Sequence, residues 1–227
     1  MANVYASPYT PEFCDWAFAY EIEGEDRFND AGQTLEGVGG CAGNPIPSRR
    51  PRASGMEDSG SGSGNVDIVI THGPPYKRLD PTASVPAVGC PLLLRAVMRA
   101  RPKLCCFGHI HEGWGAERVR WAEGVAGVAE KKCSVAEWKD RIWEEGVEGV
   151  ERVGVDLEDA KERRAVFVDA SASASASGQS ERMEIGEDGE ETLFVNAAIM
   201  DVAYRPVNAP WVVDLELPNA GLEGHGV

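Results

Sequence analysis

No apolar run in this 227-residue chain approaches the ~20 residues that a helix needs to cross a bilayer. The opening MANVYASPYT likewise has neither the charged nor the apolar region of a secretory signal. Positive charge is scarce: 22 Lys and Arg against 37 Asp and Glu leave a formal net charge of -15. Nucleic acid and anionic membrane surfaces both require a basic face, so neither is expected as a partner. The six cysteines have no secretory context, and Cys105 and Cys106 are adjacent within an apolar run, so no disulfide framework is expected. These absences point to a soluble cytoplasmic protein of one domain, with no oligomeric state indicated.

Histidine is rare too, yet three of the four fall in one stretch, Val66 to Gly115. This stretch reads strand, loop, helix, strand, loop. Val66 to Ile70 is a β-branched run of the kind covered on both faces in a parallel sheet. It ends at Thr71-His72-Gly73-Pro74-Pro75, which cannot continue a ladder. Pro91 suits a first helical position, Leu92, Leu93, Leu94, Val97 and Met98 follow, and Pro102 ends the helix. Lys103 to Phe107 forms the next strand and runs into Gly108-His109-Ile110-His111-Glu112-Gly113. Ligands of open α/β sheets gather at the carboxyl ends of parallel strands. His72, His109 and His111 are therefore expected at one edge of one sheet. A lone histidine is more often a hydrogen-bonded structural residue, whereas three together suit a metal, and spacing alone leaves both open.

The rest of the chain is less ordered by pattern. Asn3 to Ala6 reads as a strand, followed by a loop whose Phe13, Trp16 and Phe18 suit packing beneath a site or plain core. Residues 1–34 belong to the main domain with 65–115 and 191–218, and a partial helix is expected from Asp26. Residues 35–64 are rich in Gly, Pro and Ser and read as a flexible insertion, with Arg49, Arg50 and Arg52 as solvated charges. Residues 116–190 read as an acidic, partly helical insertion. Within it a capping box at Ser134 and Glu137 opens a helix over 135–145 carrying Val135, Trp138, Ile142 and Trp143. A polar helix over Leu157 to Arg164 and the linker SASASASGQS follow. Strands are expected at Thr192–Ala198 and Trp211–Leu215, and 219–227 reads as a frayed tail.

The motifs THGPP, RPKLCCFGHIHEGWG, VNAA and YRPVNAPWVVDL, with YASPYTPEFCDWAFAY upstream, resemble the calcineurin-like metallophosphoesterase superfamily, within it the metallophosphoesterase domain-containing branch. The resemblance implies an α/β fold, part of an αββα sandwich of mixed sheets, and a centre of two divalent metal ions (Mn, Fe or Zn) at the strand ends. By motif His72 and His109 would bind one metal and His111 the other. Asn196 matches the family's NAS-type motif, with Ala198 where serine is usual, while Glu112 and Gly108 would bind substrate or support the ligands. The substrate implied is a phosphoester small molecule or nucleotide.

The family's Asp-x-His, Gly-Asp and Gly-Asn-His-Asp motifs are absent, and Gly43-Asn44-Pro45 comes nearest to the last. With them go the bridging carboxylate and the usual general-acid histidine, so no catalytic residue is assigned. The leading expectation is the C-terminal portion of a metal-dependent phosphoesterase, inactive as this chain alone. A non-catalytic interaction module and a mononuclear zinc protein are the rivals.

Overall fold

The computed structural model describes residues 2–13, 15–30, 34, 39, 44–49, 65–123, 134–170, 181–182 and 189–217. In chain order the elements are β1 (Val4–Ser7), β2 (Thr10–Pro11), β3 (Ala19–Tyr20), β4 (Ile68–Thr71), α1 (Pro91–Ala100), β5 (Leu104–Phe107), β6 (Gly115–Trp121), α2 (Val135–Gly146), β7 (Val147–Arg152), α3 (Leu157–Arg163), β8 (Val166–Asp169), β9 (Glu181–Arg182), β10 (Glu191–Asn196) and β11 (Trp211–Asp214). No helix among the described residues is long and apolar enough to cross a membrane.

Side-chain alternation along the strands creates two apolar layers. The main sheet runs β1-β4-β5-β10-β6-β7, parallel from β1 to β10 and antiparallel beyond it. On one face Val69, Cys105, Phe107, Val119, Trp121 and Phe194 pack with the apolar side of α1 and with Trp138 of α2. On the other, Leu104, Cys106, Leu193, Val195 and Ala116 meet Val168, Trp211 and Val213 of a second, parallel sheet ordered β11-β8-β9. The result is the expected mixed α/β architecture of helices, large sheet and small sheet. The second layer stops at β5, so Val4 and Ile70 are 55% and 45% exposed. β4 is thus covered on one face, not on both as its composition suggested.

The strand-helix-strand unit forms as the pattern indicated. Pro91 begins α1, and the Cys90 sulfur caps it by accepting from the Leu93 amide at 3.2 Å. Cys90 also lies 2.7 Å from the Tyr20 hydroxyl, and burial pushes its thiol up to about 12. Burial likewise raises the thiols of Cys105 and Cys106, which with Cys90 are free. All three stay neutral packing groups near neutral pH.

Three segments depart from expectation. No helix forms from Asp26 among the described residues. Its carboxylate instead accepts from the Phe28 and Asn29 amides at 2.9 and 3.0 Å, a local turn that competes with helix. Asn29 donates onward to the Leu92 carbonyl at 3.0 Å, and Phe28 is fully buried, so this polar-looking stretch anchors on α1.

Within 35–64, residues 44–49 are likewise docked. The Ile46 amide donates to Phe28 O at 2.9 Å and the Arg49 amide to Arg99 O at 2.9 Å. Apart from Gly39, the rest of that expected flexible insertion lies outside the described residues, as do the SASASASGQS linker and the tail from 218.

Residues 116–190 contribute more than helices. The helices match at 135–146 and 157–163, and the capping box at Ser134 and Glu137 is present. But β6 and β7 complete the main sheet, and β8 and β9 build the small one.

Candidate site at the carboxyl ends of the parallel strands

β1, β4, β5 and β10 all deliver their carboxyl ends to one edge. His72 follows β4 directly. Its amide donates to Ser7 O at 3.3 Å and its carbonyl accepts from the Gly108 amide at 3.0 Å, which ties it to the loop after β5. The rings of His72 and His109 lie 4.8 Å apart between centroids, inclined by 57°. Trp16 stands edge-on against His109 at 5.0 Å. Phe13, Trp16 and Phe18 are 63%, 48% and 58% exposed, so they are not core. Trp16 packs at the site, against the His109 ring.

His111 sits on the short 3-10 turn His111–Gly113. Its Nδ1 is 2.9 Å from Asp201 O, and Tyr204 meets its ring edge-on at 5.5 Å. A proton on Nδ1 would leave Nε2 as the acceptor nitrogen. Burial first, then the neighbouring His72 and His111, hold His109 below the ordinary 6.5.

A depressed histidine contributes stability above its unfolded pKa that is lost as pH falls through the folded one. Acidification from pH 7 to below 6.5 is therefore expected to lower wild-type stability more than that of His109→Asn, whose side chain tolerates the same left-handed backbone. Urea unfolding of both proteins across that range checks the sign.

Glycine matters here at a position the motif reading did not single out. A Cβ on Gly108 would meet Ala198 N at 3.8 Å, an ordinary contact. On Gly113 it would fall 1.9 Å from Leu79 O and 2.8 Å from Asn196 Nδ2. Gly113→Ala is accordingly expected to cost about 3 kcal/mol, the upper part of the overpacking range. Gly108→Ala is expected to stay within about 0.5 kcal/mol, as substitutions away from such constraints do. Chemical denaturation of the two variants separates them.

Glu112 is exposed on the turn. Trp114 donates from Nε1 to Ala209 O at 3.1 Å and packs on Trp211, so it braces the loop after β10. Asn196 is fully buried, and both of its side-chain N–H groups go to backbone carbonyls, those of Leu79 and Ile110 at 3.0 and 2.8 Å.

A metal centre needs at least three converging donors. Among the described residues no three His, Cys, Asp or Glu side chains are grouped so as to hold one ion. The paired imidazoles supply two soft-to-borderline nitrogen donors without a carboxylate to offset a dication's charge. The donor set described here does not fit a complete one-metal or two-metal centre.

Known proteins resemble parts of this chain. Metallophosphoesterase domain-containing protein 1 from Homo sapiens is 54% identical over 52 residues, 22% of this chain and 16% of that protein. UPF0046 protein T07D4.2 from Caenorhabditis elegans is 31% identical over 114 residues, 50% of this chain and 22% of that protein. A protein named probable rhamnogalacturonate lyase C, from Emericella nidulans, is 31% identical over 121 residues, 52% of this chain but 8% of its own length. The matched stretches thus span less than a quarter of each relative. No family model matches the chain. The likeness at this level is a partial one to metallophosphoesterase domain-containing proteins, carried on a mixed α/β fold.

Proposed function

We propose that this chain is the C-terminal portion of a metal-dependent phosphoesterase whose centre is incomplete without further ligands. The observation that carries the reading is the His72–His109 pair, 4.8 Å between rings, at the ends of adjacent parallel strands, with His111 on the same loop. That is where α/β sheets place ligand sites. His72 and His109 are proposed ligands of one divalent ion (Mn, Fe or Zn) and His111 of a second, with a phosphoester small molecule or nucleotide as substrate. Partial similarity to metallophosphoesterase domain-containing protein 1 supports the assignment.

The absent carboxylate ligands account for the incomplete donor set, and isolated imidazoles should hold metal only weakly. Losing a single supporting partner already costs about 10- to 100-fold in affinity or activity. The transcript upstream of the Met1 codon tests the proposal. In-frame codons for Asp-x-His, Gly-Asp and Gly-Asn-His-Asp are expected, and an in-frame stop immediately upstream would contradict it.

The lack of a three-donor group among the described residues favours one second reading, a non-catalytic interaction module derived from such a fold. On that reading neither this chain nor its longest transcript product hydrolyses an aryl phosphodiester at any manganese concentration.

A further inference from the structure

Several residues near this edge hold a backbone conformation that side chains disfavour, His109 and Leu79 among them. His109 has φ +68° and Leu79 has φ +49°. Such residues persist only where their surroundings over-determine them. One side chain touches the backbone beside both. Asn196, the last residue of β10 and fully buried, donates from Nδ2 to Leu79 O at 3.0 Å and to Ile110 O at 2.8 Å, while its Oδ1 accepts from the Ala198 amide at 3.1 Å. One acceptor belongs to the left-handed Leu79, and the other to the residue directly after the left-handed His109.

The Leu79 end of this link is itself held. Asp80 accepts from the Lys77 and Gly89 amides at 2.9 and 2.7 Å, and Arg78 pairs with Glu117 on β6. The Leu79 carbonyl is thereby a fixed point, and Gly113 leaves the space through which Asn196 reaches it. At the other end, Ile110 lies between His109 and His111, so where its carbonyl is tied decides where both imidazoles start.

We propose that Asn196 is the positioning residue of this edge: its carboxamide tethers Ile110 to Leu79 and so sets the left-handed turn at His109 and its spacing from His72. The importance of that spacing rests on the proposed metal role, but the tether does not. Asparagine suits the task because two N–H donors are needed at once. Aspartate has the same shape but offers neither donor when ionised, and leucine offers none at all.

The test is proton NMR on the full chain without metal. Wild type should show a nuclear Overhauser effect between the His72 and His109 ring protons, a Trp16 ring-current displacement on His109, and Asn196 side-chain amide exchange slowed at least about tenfold relative to an exposed amide. In Asn196→Asp the chemical shifts of β4 and β5 should stay dispersed, while the inter-ring effect and the Trp16 displacement disappear. Persistence of both in a folded Asn196→Asp would overturn the proposal. If that variant does not fold, the wild-type side-chain amide decides: exchange at the rate of an exposed amide defeats the tether, and slow exchange with contacts to Ile110 upholds it. Failure of the phosphoesterase reading would leave these outcomes unchanged, because no metal or substrate enters them.

Discussion

Glu117→Leu is expected to lower the unfolding free energy by about 3–5 kcal/mol, and adding Arg78→Met in the same chain is expected to recover most of that loss. Arg78 Nη1 lies 2.9 Å from Glu117 Oε1, with the two side chains only 3% and 4% exposed. Burial dominates the ionisation of both. It lowers Arg78 to about 10 and raises the Glu117 carboxyl, although each partner pulls the other back toward its charged form. Removing the carboxylate takes one counter-charge from a buried guanidinium, whose charge Asp80 also favours, whereas removing both charges also removes both desolvation costs. Equilibrium urea unfolding of the two single variants and the double variant measures the coupling. A double variant as unstable as the worse single one would show that shape, not charge, is what the pair contributes.

Phe194→Ala is expected to cost about 3–5 kcal/mol, the range for deleting a large buried aromatic side chain. Phe194 is fully buried at the centre of β10, with Phe107 at 6.5 Å, Trp121 at 6.0 Å and the Arg78 guanidinium over its ring at 5.8 Å. These neighbours sit on β5, β6 and the loop after β4, so they cannot collapse together without moving three elements. Phe194→Leu should recover roughly half of the loss by refilling most of the cavity. Thermal unfolding with matched baselines checks the order wild type, leucine, alanine.

The strand-helix-strand core was legible because its signals are local. Apolar runs bounded by glycine and proline located β4, α1 and β5 to within a residue or two, and they put His72 and His109 at a common edge. The capping box at Ser134 and Glu137 worked for the same reason, since donor and acceptor stand three residues apart.

β6 and β7 were hidden because their charges are neutralised from a distance. Arg120 pairs with Glu191 at 3.0 Å and Arg118 bridges Glu151 and Glu191, so a segment that reads as solvated supplies β6 within the sheet and β7 along its exposed edge. Composition left Phe13, Trp16 and Phe18 open between a site and a packed core. Left-handed turns at Asp15 and Phe18 accompany their exposure, and Trp16 packs on His109. The requirement for glycine at 113 was invisible for a further reason: the atom that forbids a side chain there is the carbonyl of Leu79, which only the folded loop brings near.

Manganese titration of the full chain, followed by paramagnetic broadening of imidazole and carboxylate signals, bears most directly on the central claim that these histidines belong to a metal centre. The account predicts that the His72 and His109 ring signals broaden as manganese is added, weakly and without saturating at one equivalent, with His111 close behind. Broadening confined to the acidic side chains, with the imidazole lines left sharp, would contradict it.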